Sequence, residues 1–254
     1  MPPKRKKQKK ADPYANTFEE AIDRIRREDL SLEILMLTND DRIFEGGFNL
    51  KLMQQLGEAM KQHPSSSAKL LRIDLSHGRI GNKGLAAISE SLGLCTNLQD
   101  LSLAACNIGD AGLLALSKHL SKCTALRKLK IYDSAKNDGG KEPKDPISDE
   151  GIVVFATHAL PACTALTELN LCNHRIGDKG LSALSKGLRA CSGLSCLVLN
   201  GNAFGAEGLT CLAASLRDCT SLRELAIGQS ARNIWDSTGP SWAVPLSERT
   251  VLPV

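Results

Sequence analysis

The sequence predicts a right-handed α/β solenoid, a horseshoe in which parallel strands line the concave face and helices cover the convex face. The first observation is a near repetition, because CNIGDAGLLALSKHLSKCTAL from Cys106 returns as HRIGDKGLSALSKGLRACSGL from His174. The second is a period, since cysteines ahead of a small pair and a leucine are spaced by 28, 40, 28 and 28 residues: Cys95, Cys123, Cys163, Cys191 and Cys219. A fixed period of this length is typical of repeats that stack on one another.

Residues 1–13 are expected to form a disordered basic arm. Six of the first ten residues are positive and exceed the net charge of +4, which leaves 4 − 6 = −2 for the remainder. Such a run indicates a nuclear-import signal, a contact with nucleic acid or another acidic surface, or solubility alone. The six residues are Lys4, Arg5, Lys6, Lys7, Lys9 and Lys10.

Residues 14–67 are expected to hold an N-terminal capping helix and a degenerate first repeat. Thr17 and Glu20 have the spacing of a capping box, and an apolar stripe with helical spacing begins at Phe18. That helix would cover the open N-terminal end of the solenoid. The segment FNLKLMQQLGEAM has the pattern of the helix of the first repeat.

The regular unit is clearest between Leu98 and Ala125. Leu101 and Leu103 share one face of a short strand, because side chains alternate along a strand. Leucines with helical spacing follow and form a single stripe: Leu113, Leu116 and Leu120. One unit cannot bury both apolar faces alone, so the units are expected to stack with their strands paired.

A short polar side chain stands at the start of each predicted helix. Asp110 is expected to accept hydrogen bonds from the first-turn amides of its own helix, and Asp178 and Asn82 hold the same place in their units. This structural role makes the carboxylates poor candidates for catalysis.

The cysteines are expected to be small buried residues in a reducing compartment. Their count of nine is odd, no export signal precedes them, and no pair has zinc-knuckle spacing. No apolar run approaches the length of roughly 18 residues that spans a bilayer. The expected location is therefore intracellular, in the cytoplasm, the nucleus or both, without a membrane span.

The pattern L-x-x-L-x-L-x-x-[NC]-x-[LI] over residues 68–229 resembles the leucine-rich repeat. The 28-residue period, the long helix and the CTxL motif resemble the ribonuclease-inhibitor-like class in particular. The resemblance implies that Cys106 and Asn202 satisfy backbone amides where the chain leaves the strand. Gly78 and His174 depart from this position, so that hydrogen-bond ladder is expected to be interrupted there.

Two segments leave the period. Residues 135–146, AKNDGGKEPKDP, are expected to form a surface loop, which is either a tolerated excursion or a partner contact. Residues 230–254 hold both tryptophans, Trp235 and Trp242. This tail either folds over the C-terminal end of the solenoid, docks on another protein, or is an artefactual or truncated end.

The concave face follows from the alternation of side chains along the strands. Lys128, Lys130 and Tyr132 form its most distinctive patch, with Val198 expected as the main exposed aliphatic nearby. A tyrosine beside basic residues is typical of an interface, although a solvated face is the alternative. The candidate partner-binding residues are Arg72, Asp74, Asp100, Lys128, Lys130, Tyr132, Glu168, Asn170, Val198 and Asn200.

The sequence contains no phosphate-binding loop, HExxH or GxSxG motif, and its histidines are scattered. We therefore expect no catalytic residues, cofactor or metal. The predicted function is a non-enzymatic protein-interaction module that binds a protein partner through the concave face, and a scaffold role in a cytoskeletal or axonemal assembly is a variant of the same class. One alternative is a regulator like the activator of the GTPase Ran, which shares the repeat type. Another is an adaptor that reaches nucleic acid or chromatin through the basic arm.

Overall fold

The computed structural model describes residues 12–38, 50–132, 145–217 and 219–228. The basic arm before residue 12, the insertion except for its last two residues, and the tail at 230–254 lie outside the described residues. What was predicted for these segments stays a prediction.

Eight short strands form one parallel sheet in chain order. From β2 onward, the central leucine or isoleucine of each strand pairs with its counterpart on the next and is buried in the core. This register confirms the predicted α/β solenoid. The strands are β1 (Tyr14–Ala15), β2 (Ile34–Met36), β3 (Arg72–Asp74), β4 (Asp100–Ser102), β5 (Lys128–Lys130), β6 (Glu168–Asn170), β7 (Cys196–Val198) and β8 (Glu224–Ala226).

A helix follows each of the regular strands from β3 to β7, and neighbouring helices pack side by side along the convex face. Their leucines, with helical spacing, enter the same core as the strand leucines. The helices are α1 (Phe18–Arg26), α2 (Leu50–Gln62), α3 (Pro64–Ser67), α4 (Gly81–Leu92), α5 (Asp110–Leu120), α6 (Asp149–Val154), α7 (Asp178–Leu188) and α8 (Ala206–Leu216).

The helix-end cysteines are buried, as predicted. All five are at most 4% exposed, and all nine cysteines of the chain are free thiols. Cys123 Sγ donates to Leu92 O of the preceding unit at 3.2 Å. Burial raises the pKa of Cys123 to about 12 and that of Cys163 to about 11. These thiols are therefore protonated packing groups rather than nucleophiles.

The N-terminal helix α1 begins at its predicted cap, where Thr17 Oγ1 accepts from Glu20 N at 3.2 Å. Arg24 on this helix gathers the chain around it. Its guanidinium donates to Tyr14 O at 2.5 Å and Asp12 O at 2.6 Å, and pairs with Asp29 at 2.7 Å. One side chain thus fastens β1 and the turn after α1 to the helix.

Asn82, Asp110 and Asp178 do not cap their own helices, which corrects the prediction. Asp149 Oδ1 instead accepts from Gly177 N at 2.6 Å and Gly180 N at 2.9 Å, both in the first turn of the next helix, α7. The same pair of bonds to the following helix is made by Asn82, Asp110 and Asp178. Each unit therefore caps its successor. Ala206 occupies this position on α8 and has no side-chain oxygen.

The glycines Gly112, Gly151, Gly180 and Gly208 make room for the capping group of the preceding unit. A Cβ on Gly180 would lie 2.4 Å from Asp149 Oδ1, and one on Gly208 would lie 2.7 Å from Asp178 Oδ1. Such separations are far inside van der Waals contact. The recurring D-x-G spelling is thus explained by contact between units: the carboxylate reaches forward and the glycine receives it.

The hydrogen-bond ladder at the Asn/Cys position continues through His174, where an interruption was predicted. His174 Nε2 donates to Ile131 O of the preceding unit at 2.9 Å, and its ring is 5% exposed. Cys106 Sγ reaches Leu75 O at 3.0 Å, and Asn202 Nδ2 reaches Leu171 O at 2.9 Å. The acceptor is a strand-end carbonyl, so any side chain of suitable length that carries a hydrogen-bond donor can make this bond.

The 12 extra residues between Cys123 and Cys163, relative to the 28-residue period, fall in two places. Eleven lie between β5 and α6. The twelfth lies in the helical segment, where Gly151 to Cys163 spans 12 residues against 11 in other units. A π-helix at Phe155–Ala159 and a 3-10 turn at Leu160–Ala162 absorb it. A single inserted residue is the usual cause of a π-helical turn.

Candidate functional site: the concave face

The first positions of the strands form a row across the concave face, because the parallel register places them side by side. Over the first four strands of this row the signs of charge alternate. Each charged residue therefore has an opposite charge on the neighbouring strand, about 4.8 Å away. In chain order the row is Arg72, Asp100, Lys128, Glu168, Cys196 and Glu224.

Ion pairs connect this row. Arg72 Nε lies 3.1 Å from Asp100 Oδ2. Glu168 holds both predicted lysines, with Lys128 Nζ at 3.2 Å and Lys130 Nζ at 3.0 Å. The basic patch predicted from the sequence is therefore a paired cluster rather than free positive charge.

Two carboxylates of the row, Asp100 and Glu168, respond differently to burial. Burial is the largest influence on Glu168 and raises its pKa, but the hydrogen bonds and charges of Lys130 and Lys128 outweigh it, so the pKa is lowered. Burial also comes first for Asp100, and there it prevails over the attraction of Arg72, so the pKa of Asp100 is raised. The two lysines thus favour the ionised form of Glu168.

Tyr132 lies beside this cluster and packs against a small apolar group that is separate from the main core. The group consists of Cys172, Val198 and Ala226 on the next three units, with Cys196 at its side. Tyr132 is half-buried, and burial raises the pKa of its hydroxyl to about 12. Its ring joins an apolar surface on one side to charged residues on the other.

Val198 is not the exposed aliphatic that the sequence predicts, since it is 6% exposed. Alternation along β7 correctly directs its side chain away from the main core. Its exposure, however, depends on lateral neighbours: Asn170 and Ala226 flank it in register. Val198 therefore contributes packing beneath Tyr132 rather than open apolar surface.

The two candidate asparagines are also buried, at 1% for Asn170 and 3% for Asn200. Asn170 Oδ1 accepts from Cys172 N at 3.1 Å, and Asn200 Oδ1 accepts from Gly228 N at 2.8 Å. Asn170 therefore holds the turn after its own strand, whereas Asn200 holds the chain that follows the neighbouring strand, β8. Asn170 Nδ2 has no hydrogen-bond partner among the residues that the structure describes.

The exposed part of the face is smaller than the predicted set. Arg72, Lys128 and Glu224 are exposed, while Asp74 is half-buried and accepts from Ser76 N at 2.9 Å. Glu224 was not among the candidates, although the alternation that selected the others also places it on this face. It gives the C-terminal end of the row an unbalanced negative charge.

The described residues hold no group of three or more His, Cys, Asp or Glu side chains placed to bind a metal ion. None of the helices in the described ranges is both long and apolar enough to cross a membrane.

A groove of about 530 Å³ lies on the convex face at the π-helix. Its floor includes Val153, Ala156 and Ala183, and Lys179 and Lys186 stand on its α7 side. Thr157 also lines the groove, and its Oγ1 donates to Val153 O at 2.7 Å. Nothing in the described residues shows what would occupy it.

The parallel sheet in chain order and the helix after each regular strand together define a leucine-rich-repeat solenoid. The family model described as Leucine Rich repeat matches four segments, residues 66–89, 94–117, 162–185 and 190–213. Its match is to these repeats in general, and the ribonuclease-inhibitor-like class stays a prediction. The search of curated proteins found no match.

The solved structures that are similar to the chain include a leiomodin structure and a tropomodulin structure. Leiomodin-1 Actin-Binding Site 2 is 16% identical with a TM-score of 0.48, over 81% of this chain and 90% of that one. The tropomodulin C-terminal domain of Caenorhabditis elegans is 12% identical with a TM-score of 0.45, over 80% of this chain and 93% of that one.

Proposed function

We propose that the protein is a non-enzymatic interaction module that binds a protein partner through its concave face. The observation that carries this proposal is the position of Tyr132. Its half-buried ring lies between an apolar group and the lysine pair on Glu168, and such a boundary is where interface anchors are enriched.

The partner is expected to supply a carboxylate to Lys128 and an apolar side chain to Tyr132. Lys128 is 48% exposed, so its ammonium has donors left beside the bond to Glu168. On binding, the ammonium of Lys128 would be shared between Glu168 and a carboxylate of the partner. Such an exchange of charge contacts favours specificity and orientation more than raw affinity. A scaffold role in a cytoskeletal or axonemal assembly is the finer form of this proposal.

The two alternative functions have less behind them. No described residue favours a GTPase regulator. The nucleic-acid hypothesis depends on the basic arm, which lies outside the described residues. Without the six positive residues of the arm, the net charge of +4 becomes 4 − 6 = −2 for the remainder of the chain.

The test is affinity capture from the protein's own cells with mass spectrometry. A Lys128→Glu, Lys130→Glu, Tyr132→Ala variant is compared with wild type. The matched control is Lys118→Glu, Lys122→Glu, Leu114→Ala, which makes the same charge change on the convex side, where Leu114 is 40% exposed. Circular dichroism checks that both variants are folded.

A partner that wild type and the control capture and the concave variant loses would support the proposal. Purified actin and tubulin in co-sedimentation assays then test the cytoskeletal form. Equal capture by all three proteins would exclude the concave face as the binding surface.

A further inference from the structure

The last unit of the solenoid exposes an apolar end face among the described residues. Five of its core positions are only partly buried, although the equivalent residues one unit earlier are 0% exposed. The five are Phe204, Leu209, Leu216, Leu222 and Ile227, and their buried counterparts are Ile176, Leu181, Leu188, Leu194 and Leu199. We call these five residues the end face.

The outer edge of β8 lies beside this surface. β8 pairs with β7 on one side, and no strand of the described residues pairs with the other. An open edge next to apolar side chains is a site for aggregation unless something covers it. Solenoids generally need a terminal element with a polar outer surface for this reason.

The end face does not offer a further regular unit the capping oxygen that earlier units receive. Every earlier unit from Asn82 to Asp178 offers an oxygen that caps the next helix, but Ala206 offers none. The first turn of a following helix would therefore lack the cap that α5 to α8 have. Consistent with this, the positions 28 residues after the helix leucines Leu209, Leu212 and Leu216 hold Ser237, Pro240 and Val244, so the leucine spacing of a helix is not repeated there.

The segment that follows is well placed to be the cover. Gly228 is tied at the end of β8, where its N–H donates to Asn200 Oδ1 at 2.8 Å and its carbonyl accepts from Gly201 N at 3.0 Å. Residues 229–254 thus start at the rim of the end face, which gives them a high effective concentration there. They contain both tryptophans of the chain, Trp235 and Trp242.

We propose that residues 229–254 fold back on the end face as an irregular cap, with Trp235 and Trp242 against Leu222 and Ile227. A buried indole removes a large apolar area from water and brings one donor, which can reach the open carbonyls of β8. This proposal concerns the end of the solenoid and does not depend on the proposed concave-face function.

The experiment uses the tryptophans, because both lie in this segment and their fluorescence therefore reports on it alone. In the full-length native protein we expect emission shifted to the blue of the urea-unfolded chain and acrylamide quenching several-fold weaker. Leu222→Asp and Ile227→Asp, made singly, should shift the emission to the red and restore quenching while far-ultraviolet circular dichroism is retained. Leu114→Asp on the convex face is the control and should leave the emission unchanged.

Three results would overturn the proposal. Solvent-like tryptophan emission in the folded wild-type protein would show that the segment is not docked. Protected tryptophans that ignore both end-face substitutions would place it on another surface. Protection that appears only as the mass measured by light scattering doubles would make a second copy of the chain the cover.

Discussion

Burial of His174 should make the protein sensitive to acid, and the effect can be isolated with one substitution. Burial is the largest influence and lowers the pKa of His174 from 6.5 to about 4, although the bond to Ile131 O and the charge of Asp110 oppose it. The unfolded chain therefore binds a proton near pH 6.5 that the native state refuses until about pH 4. Stability is lost as the pH falls through this window.

The magnitude follows from the two pKa values. Between pH 7 and pH 5 the linkage relation gives a loss of about 2 kcal/mol, and the full shift is worth about 3 kcal/mol below pH 4. His174→Asn keeps a donor for Ile131 O, as Asn202 does for Leu171 O at 2.9 Å in the next unit, but does not titrate. The variant should therefore lose about 2 kcal/mol less than wild type over this interval.

The assay is urea unfolding at pH 7, 6 and 5, followed by circular dichroism. The carboxylates are common to both proteins, so their contributions cancel in the difference. His77→Asn is the matched control, because His77 is exposed and has a left-handed backbone conformation that asparagine tolerates. Wild-type and His174→Asn stabilities that run parallel across this range would refute the reasoning.

Three further outcomes are expected. Asp149→Ala removes the cap of α7 and should lower the free energy of unfolding by about 1–2 kcal/mol. Asp149→Asn keeps the accepting oxygen and should lower the free energy of unfolding much less. Equal losses for the two variants in urea unfolding would contradict a capping role. Arg24→Gln should loosen the N-terminal cap and speed amide hydrogen exchange in β1 and α1 selectively, and uniform exchange throughout would argue against it. Ellman's reagent should modify Cys211 first in the native protein, because Cys211 and Cys196 are the two half-buried thiols and burial raises the pKa of Cys196 to about 12. Rapid reaction of five or more thiols would contradict the burial of the helix-end cysteines.

The period of the sequence predicts position within a unit well and contact between units poorly. Asp110 was correctly placed at a helix start, and Leu101 and Leu103 in the core. In a repeat, however, the first turn of a residue's own helix and that of the next have the same spelling. The pattern alone therefore does not say which one a carboxylate caps. The D-x-G spacing held the missing signal, because a glycine kept free of a Cβ indicates an incoming group.

The predicted interruption of the hydrogen-bond ladder at His174 was wrong for a related reason. The Asn/Cys position was defined by residue type, whereas the structure requires a donor that reaches a strand-end carbonyl. The concave face shows the same limit. Alternation gives the direction of Lys128 and Val198, but the pairing with Glu168 and the burial of Val198 depend on the neighbouring strands. Neighbours across a solenoid are set by stacking, which residue spacing within one unit does not encode.

The two kinds of contact between units act in opposite directions along the chain. The capping residues Asp110, Asp149 and Asp178 reach forward to the next helix, while His174 and Asn202 reach back to the preceding strand end. Each unit is thus fastened to its neighbours near both the helix start and the strand end. Relative motion of adjacent strands would break one set of bonds or the other, so the spacing of side chains across the concave face is fixed by the fold. A surface ordered in advance loses little conformational entropy on binding, which is how the proposed concave interface, with few exposed anchors, would bind specifically.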